Sequence, residues 1–242
     1  MAQAHATTLK QLRAMIEHEL GLHAHPASLN LAFNGDTLVL SGEVQNIAQK
    51  RMCERMAEAM PDVARVEDRL QVMPSECRED GAIRDSLASS LSRESALHNC
   101  SVGIINKGVR ETINDATAET ACYVDARIEA GVVTLMGEVI SLTHKRLVGI
   151  LAWWIPGVRN VENLLTVVPH EADTDDEITD AVRLAFAKDP LVHGDQIRVS
   201  TRDGVVTLEG LVAGPTERQM AEHDVWYLSD VAQVSNQLQV RS

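Results

Sequence analysis

Aromatic side chains make up only 3% of the 242 residues. Any packed core must therefore be built from Leu, Val, Ile, Ala and Met, and a hydrophobic share of 45% supplies enough of them. Positive charge is also short, with 22 Lys and Arg against 35 Asp and Glu and a net charge of −13. Such a surface repels phosphate backbones, which excludes a general nucleic-acid binder and disfavours adhesion to anionic lipid through bulk charge. The longest strongly apolar run, Leu147–Ile155, is far too short to span a bilayer. The opening MAQAHATTLKQLRAM lacks a basic stretch followed by an apolar one. No signal peptide is read there, and a cytoplasmic location is expected. The four cysteines (Cys53, Cys77, Cys100, Cys122) form no CxxC pair and no zinc spacing. Reduced thiols are the expectation; the alternative is a Cys100–Cys122 bridge, because both residues flank one unusual segment.

What the chain does have is an internal repeat. GDTLVLSGEV (35–44), GVVTLMGEV (131–139) and GVVTLEGLV (204–212) each read as a turn, an alternating strand and a glycine. Measured from Gly42, Gly137 and Gly210, the copies keep step. Val66, Val161 and Val234 recur at one offset, and Leu70, Leu165 and Leu238 at another. Between the glycine and these residues lies a helix-length stretch: Ile47–Met60, Leu142–Ile155 and Pro215–Leu228. An earlier amphipathic helix precedes each hairpin, over Thr8–Leu20, Ala82–Leu91 and Glu177–Lys188, with Asp175 and Asp176 read as caps of the third. The fold class is α+β: three tandem two-layer α/β sandwich modules, each helix-strand-strand-helix-strand. The domains are set at 1–74, 79–169 and 175–242, and all three are expected to pack together with the middle module as hub. The glycines are 95 residues apart from Gly42 to Gly137 but 73 from Gly137 to Gly210. The excess is assigned to a segment at about 103–125, inserted in the first strand or first turn of the middle module.

The pattern G-V-x-x-L-x-G-x-V, a helix, then V-x-x-V-x-N-x-L resembles the BON domain. The resemblance is best in the second module (Gly131, Leu135, Gly137, Gly157, Val158, Val161, Asn163, Leu164). The third has Asp230 at a glycine position. The first departs most, with an extra turn residue at Asn34-Gly35-Asp36, Asp62 at the glycine position and Asp68 at the asparagine position. The resemblance implies a non-catalytic binding or scaffold role in a bacterial envelope or stress response, often tied to phospholipid. It also implies a periplasmic location if a leader has been removed.

The glycines Gly42, Gly137 and Gly210 are structural, since a lone glycine ending a strand fits a close backbone approach and not a phosphate cradle. One face of the second helices is apolar in all copies (Met52/Leu147/Met220, Cys53/Val148/Ala221, Ala57/Ala152/Val225, Met60/Ile155/Leu228) and reads as core. The other face differs. The first module shows Arg55, Glu58 and Ala59, an ordinary solvated surface, whereas the second shows Ile150, Trp153 and Trp154 and the third His223, Trp226 and Tyr227. Ile150, Trp153, Trp154, Trp226 and Tyr227 are the candidate binding residues. Three readings stay open for them: packing between modules, a protein partner or self-association, and a phospholipid surface that tryptophan favours. His23-x-His25 reads as a solvated loop, because no further ligand follows at metal spacing. No Walker loop, HExxH or nucleophile elbow occurs, so no catalytic residue, metal, cofactor or small-molecule substrate is expected.

Overall fold

Leu38 and Leu40 are fully buried while Thr37, Val39 and Ser41, which alternate with them, are not, the period of two that makes a half-buried strand. They lie on the central strand of the first of three sheets. The computed structural model describes residues 2–20, 29–116, 122–171, 174–228 and 230–241; His23 and His25 lie outside them. In the first module α1 (Ala2–Leu20) leads into the antiparallel pair β1 (Leu29–Asn34) and β2 (Thr37–Val44). The helix α2 (Ile47–Glu58) then carries the chain to β3 (Arg65–Val72), which lies parallel to β2. The helices pack against each other and on the sheet, around Leu12, Ile16, Leu38, Leu40, Cys53 and Leu70.

The third module repeats this with α5 (Asp175–Lys188), β10 (Ile197–Arg202), β11 (Val205–Val212), α6 (Pro215–Trp226) and β12 (Gln233–Val240). The hairpin registers coincide: Leu29 faces Gly42 as Ile197 faces Gly210. The first hairpin therefore holds no extra turn residue, which corrects the sequence expectation. Gly35-Asp36 connects its strands as Ala130-Gly131 and Asp203-Gly204 connect theirs. The glycine has moved one place forward within a turn of constant length.

The second module has α3 (Asp80–Arg93), β6 (Tyr123–Glu129), β7 (Val132–Val139), α4 (Leu142–Trp153) and a broken last strand, β8 (Asn160–Asn163) and β9 (Thr166–Val167). Its extra residues form neither part of the first strand nor its turn. They build a complete hairpin, β4 (Ser101–Asn106) and β5 (Val109–Asn114), between the first helix and the first strand. β4 runs parallel to β6, so the sheet order becomes β5-β4-β6-β7-β8. Cys100 and Cys122, 22 residues apart, form a disulfide at the base of this hairpin. Reduced thiols are thus corrected for this pair, while Cys53 is free and buried and Cys77 free and exposed. A bridge there needs no special local motif. The parallel pairing of Ser101 with Tyr123 brings the two preceding residues side by side.

Asp175 does not cap α5. Thr174 does, with Glu177 completing a reciprocal capping box. The Asp175 carboxylate instead accepts the backbone N–H groups of Asp203 (2.8 Å) and Gly204 (2.9 Å) in the hairpin turn. Asp80 does the same for Ala130 and Gly131, both at 2.8 Å. Residues 75–242 form one compact unit and residues 1–74 another. The expected packing between modules is present for the second and third, while the first is a unit of its own.

Candidate functional site

The origin glycines have backbone angles that side chains resist, with φ of 120° at Gly42, 134° at Gly137 and 139° at Gly210. A Cβ on Gly137 would collide with the carbonyl oxygen of Tyr123, and one on Gly210 with that of Gln196. Neither glycine opens a helix: each lies inside the strand that precedes α4 or α6, and Gly42 has the same place before α2.

The helix α4 carries the candidate binding residues and is buried without a break from Arg146 to Trp153. A helix apolar on all sides needs neighbours on two faces. Its own sheet and α3 cover one face, and α5 of the third module covers the other. Ile150, Trp153 and Trp226 are 2%, 9% and 7% exposed. The Trp153 and Tyr227 rings stack with centroids 5.4 Å apart and planes 17° from parallel. Trp154 Nε1 donates to Asp224 Oδ1 at 2.9 Å. The apolar face read from sequence thus exists, and within this unit it is occupied by module-on-module packing. In the first module Arg55, Glu58 and Ala59 are exposed, and Cys53, Ala57 and Met60 are buried.

Charged partners at this interface left little sequence signal. Lys188 Nζ, at the end of α5, reaches both carboxylate oxygens of the buried Glu94 at 3.0 and 2.8 Å. Burial works to raise the Glu94 pKa, but the Lys188 ammonium and the Ala96 N–H outweigh it and hold the carboxyl below its usual range. Arg146 pairs with Asp230 at 3.3 Å. Asp224 is 2% exposed, and among the described residues its Oδ2 has no hydrogen-bond donor. Burial pushes its carboxyl up to about 8, and the neighbouring Asp189 carboxylate adds to the rise. One signal could have found Asp224: it occupies the helix position where the siblings carry Met56 and Leu151.

Two further surfaces belong to the inserted hairpin. Its outer strand β5 is exposed over Val109–Thr112. On the sheet face Arg110 Nε donates to Asp125 at 2.7 Å, directly over Gly103, where a Cβ would meet both side chains. Near the hairpin tip a cleft of about 510 Å³ is lined by Arg84, Lys107 and Arg127 together with Asp80 and Glu129. Among the described residues no group of three or more His, Cys, Asp or Glu is arranged to hold a metal ion. No helix among them is long and apolar enough to cross a membrane.

Comparison with known proteins gives three segments, 8–74, 101–169 and 174–242, that match the family model described as BON domain. No curated protein matches. Among solved structures, the C-terminal domain of CdsD, the structural protein of the type III secretion system of Chlamydia trachomatis, is 14% identical. That match covers 94% of this chain and 96% of that one at a TM-score of 0.25. A second CdsD structure gives 14% identity, 94% and 91% coverage and a TM-score of 0.24.

Proposed function

The chain belongs to the BON-domain family, and on that premise we propose that it is a non-catalytic scaffold of a bacterial envelope that docks protein partners through the hairpin of its second module. The carrying observation is the exposed outer strand β5, fixed at its base by Cys100–Cys122 and without a counterpart among the described residues of the sibling modules. A strand with an open row of N–H and C=O groups is a template for main-chain pairing with an extended segment of a partner. The disulfide supports an oxidising compartment, the periplasm in preference to the cytoplasm.

Protein is favoured over phospholipid for two reasons. The net charge of −13 works against anionic bilayers. The tryptophans that would enter a headgroup region are held between modules, so inserting Trp153 and Trp154 would first require α4 to part from α5. Photo-crosslinking residues placed at Val109 and Thr112 in living cells test the reading, with Leu211, exposed on the third module, as the control position. Discrete adducts from β5 and none from the control are expected. Equal labelling at both positions, or flotation of the protein with vesicles that Trp153→Ala abolishes without unfolding it, would move the assignment to lipid or to no partner at this strand.

A further inference from the structure

Beside the module interface a cleft of about 260 Å³ is lined by Trp154, Asp189, Leu191, Met220, Asp224 and Tyr227. Two of these are carboxyl groups almost removed from water, Asp189 at 8% and Asp224 at 2% exposure. They lie within hydrogen-bonding reach of each other. Asp189 Oδ1 accepts the Leu191 N–H at 2.8 Å, and Asp224 Oδ1 accepts the Trp154 indole N–H. Asp224 Oδ2 is left without a donor. Among the described residues no lysine or arginine pairs with either group, and the one base in the lining, His223, is kept towards neutral by burial. Buried carboxylates are sustained by a cation, a metal or a proton.

We propose that this cleft binds the ammonium group of a small aliphatic amine, seated against the Asp189–Asp224 pair with its alkyl chain along Met220 and Leu191. Trp154 and Tyr227 present aromatic rings beside the charge, an arrangement that attracts cations. The apolar lining takes a short chain, and the volume excludes a bulky one. The site is independent of hairpin docking, which lies on a different strand of the unit. With no amine bound, the carboxyl pair retains a proton that an incoming ammonium displaces. Of the other titratable groups facing it, the Tyr227 hydroxyl is pushed up to about 12, first by burial and then by the two carboxylates, so it stays neutral beside them. Affinity therefore rises with pH until the amine loses its own proton.

The indole resonance of Trp154, assigned with a Trp154→Phe variant, reads the site directly. Titration with n-butylammonium should shift it saturably, more tightly near pH 8 than near pH 6, whereas n-butanol should not. Asp224→Asn and Asp189→Asn keep the acceptors for Trp154 and Leu191 while lowering the charge, and each should weaken binding about tenfold or more. Unchanged resonances of the other two tryptophans would report an intact fold in these variants. Glycerophosphoethanolamine separates the sources: binding tighter than butylammonium assigns a lipid headgroup, and weaker binding a free amine. A resonance that does not move, that responds equally to butanol, or that shifts unchanged in both variants would overturn the site.

Discussion

Asp68 occupies a position where the sibling modules have asparagine, and the reason becomes visible in the helix above it. Asn163 and Asn236 each donate to a carbonyl of the second helix, that of Lys145 at 2.8 Å and that of Arg218 at 3.1 Å. Their Oδ1 atoms accept the N–H two residues on, as Asp68 Oδ1 does from Leu70. An aspartate cannot donate, so Lys50, at the helix position of Lys145 and Arg218, turns inward. Its ammonium meets Asp68 at 2.5 Å and the Leu70 carbonyl at 2.7 Å, with the Lys50 side chain 5% exposed. Lys50→Met should cost about 3 kcal/mol, because it strands a buried carboxylate. Asp68→Asn should cost far less, since asparagine can adopt the siblings' contact, and the double variant should recover most of the loss; urea denaturation checks the cycle. The tryptophans offer a second contrast. Trp226 Nε1 is buried without an acceptor, so Trp226→Phe should change stability by less than about 1 kcal/mol. Trp154→Phe deprives Asp224 of its one donor and should cost about 1–3 kcal/mol. Cys53 fits the same logic as a core residue: burial first, then the Asp68 charge, push its thiol up to about 12, so slow alkylation in the native state is expected.

At the scale of elements, the helices and hairpins were legible because their signals are local and repeated three times. The three second helices begin at Ile47, Leu142 and Pro215, the positions at which the helix-length stretches after the repeat glycines start. The glycines were legible too, and their φ values make Gly137→Ala and Gly210→Ala costly, by about 3 kcal/mol or more on calorimetry. The inserted hairpin was visible as an excess of length but not as structure. VGIIN and VRETI carry strand-forming residues, yet their pairing with β6 is a contact across the sheet that no local pattern announces. The carboxylate at 175 was misread for a related reason: an aspartate at a helix start serves the cap or a distant turn equally well, and the Thr174–Glu177 box had already filled the cap. Reduction of Cys100–Cys122 releases a closed loop worth about 3 kcal/mol. Hydrogen exchange should show the loss confined first to β4 and β5, with β6 and β7 still protected.

For the whole molecule, the solvated face on α2 and the apolar faces on α4 and α6 distinguish a module that stands as its own unit from two that share one. The sequence showed which helices carry such faces. It could not show what covers them, because Glu94, Lys188, Arg146 and Asp230 become partners only when the modules meet. One cooperative transition should carry the second and third modules together, and Tyr227→Ala should lower it for both at once. That transition should also depend on pH through Asp224. The native carboxyl holds its proton up to about 8, whereas an aspartate in the unfolded chain loses it near its ordinary value of 3.8. Between those limits the folded state binds more protons than the unfolded state, so stability falls as pH rises and levels off above the upper limit. Asp224→Asn should remove that part of the slope, measured as melting temperature against pH. The bridge at the base of the hairpin has a mechanical consequence as well. A pull along the backbone of the second module crosses from Cys100 to Cys122 through sulfur, bypassing the 22-residue span. Stretched in a single-molecule experiment, the oxidised chain should yield roughly 70 Å less contour length than the reduced one, so a scaffold under tension would keep its hairpin shaped while the sheet around it gives way.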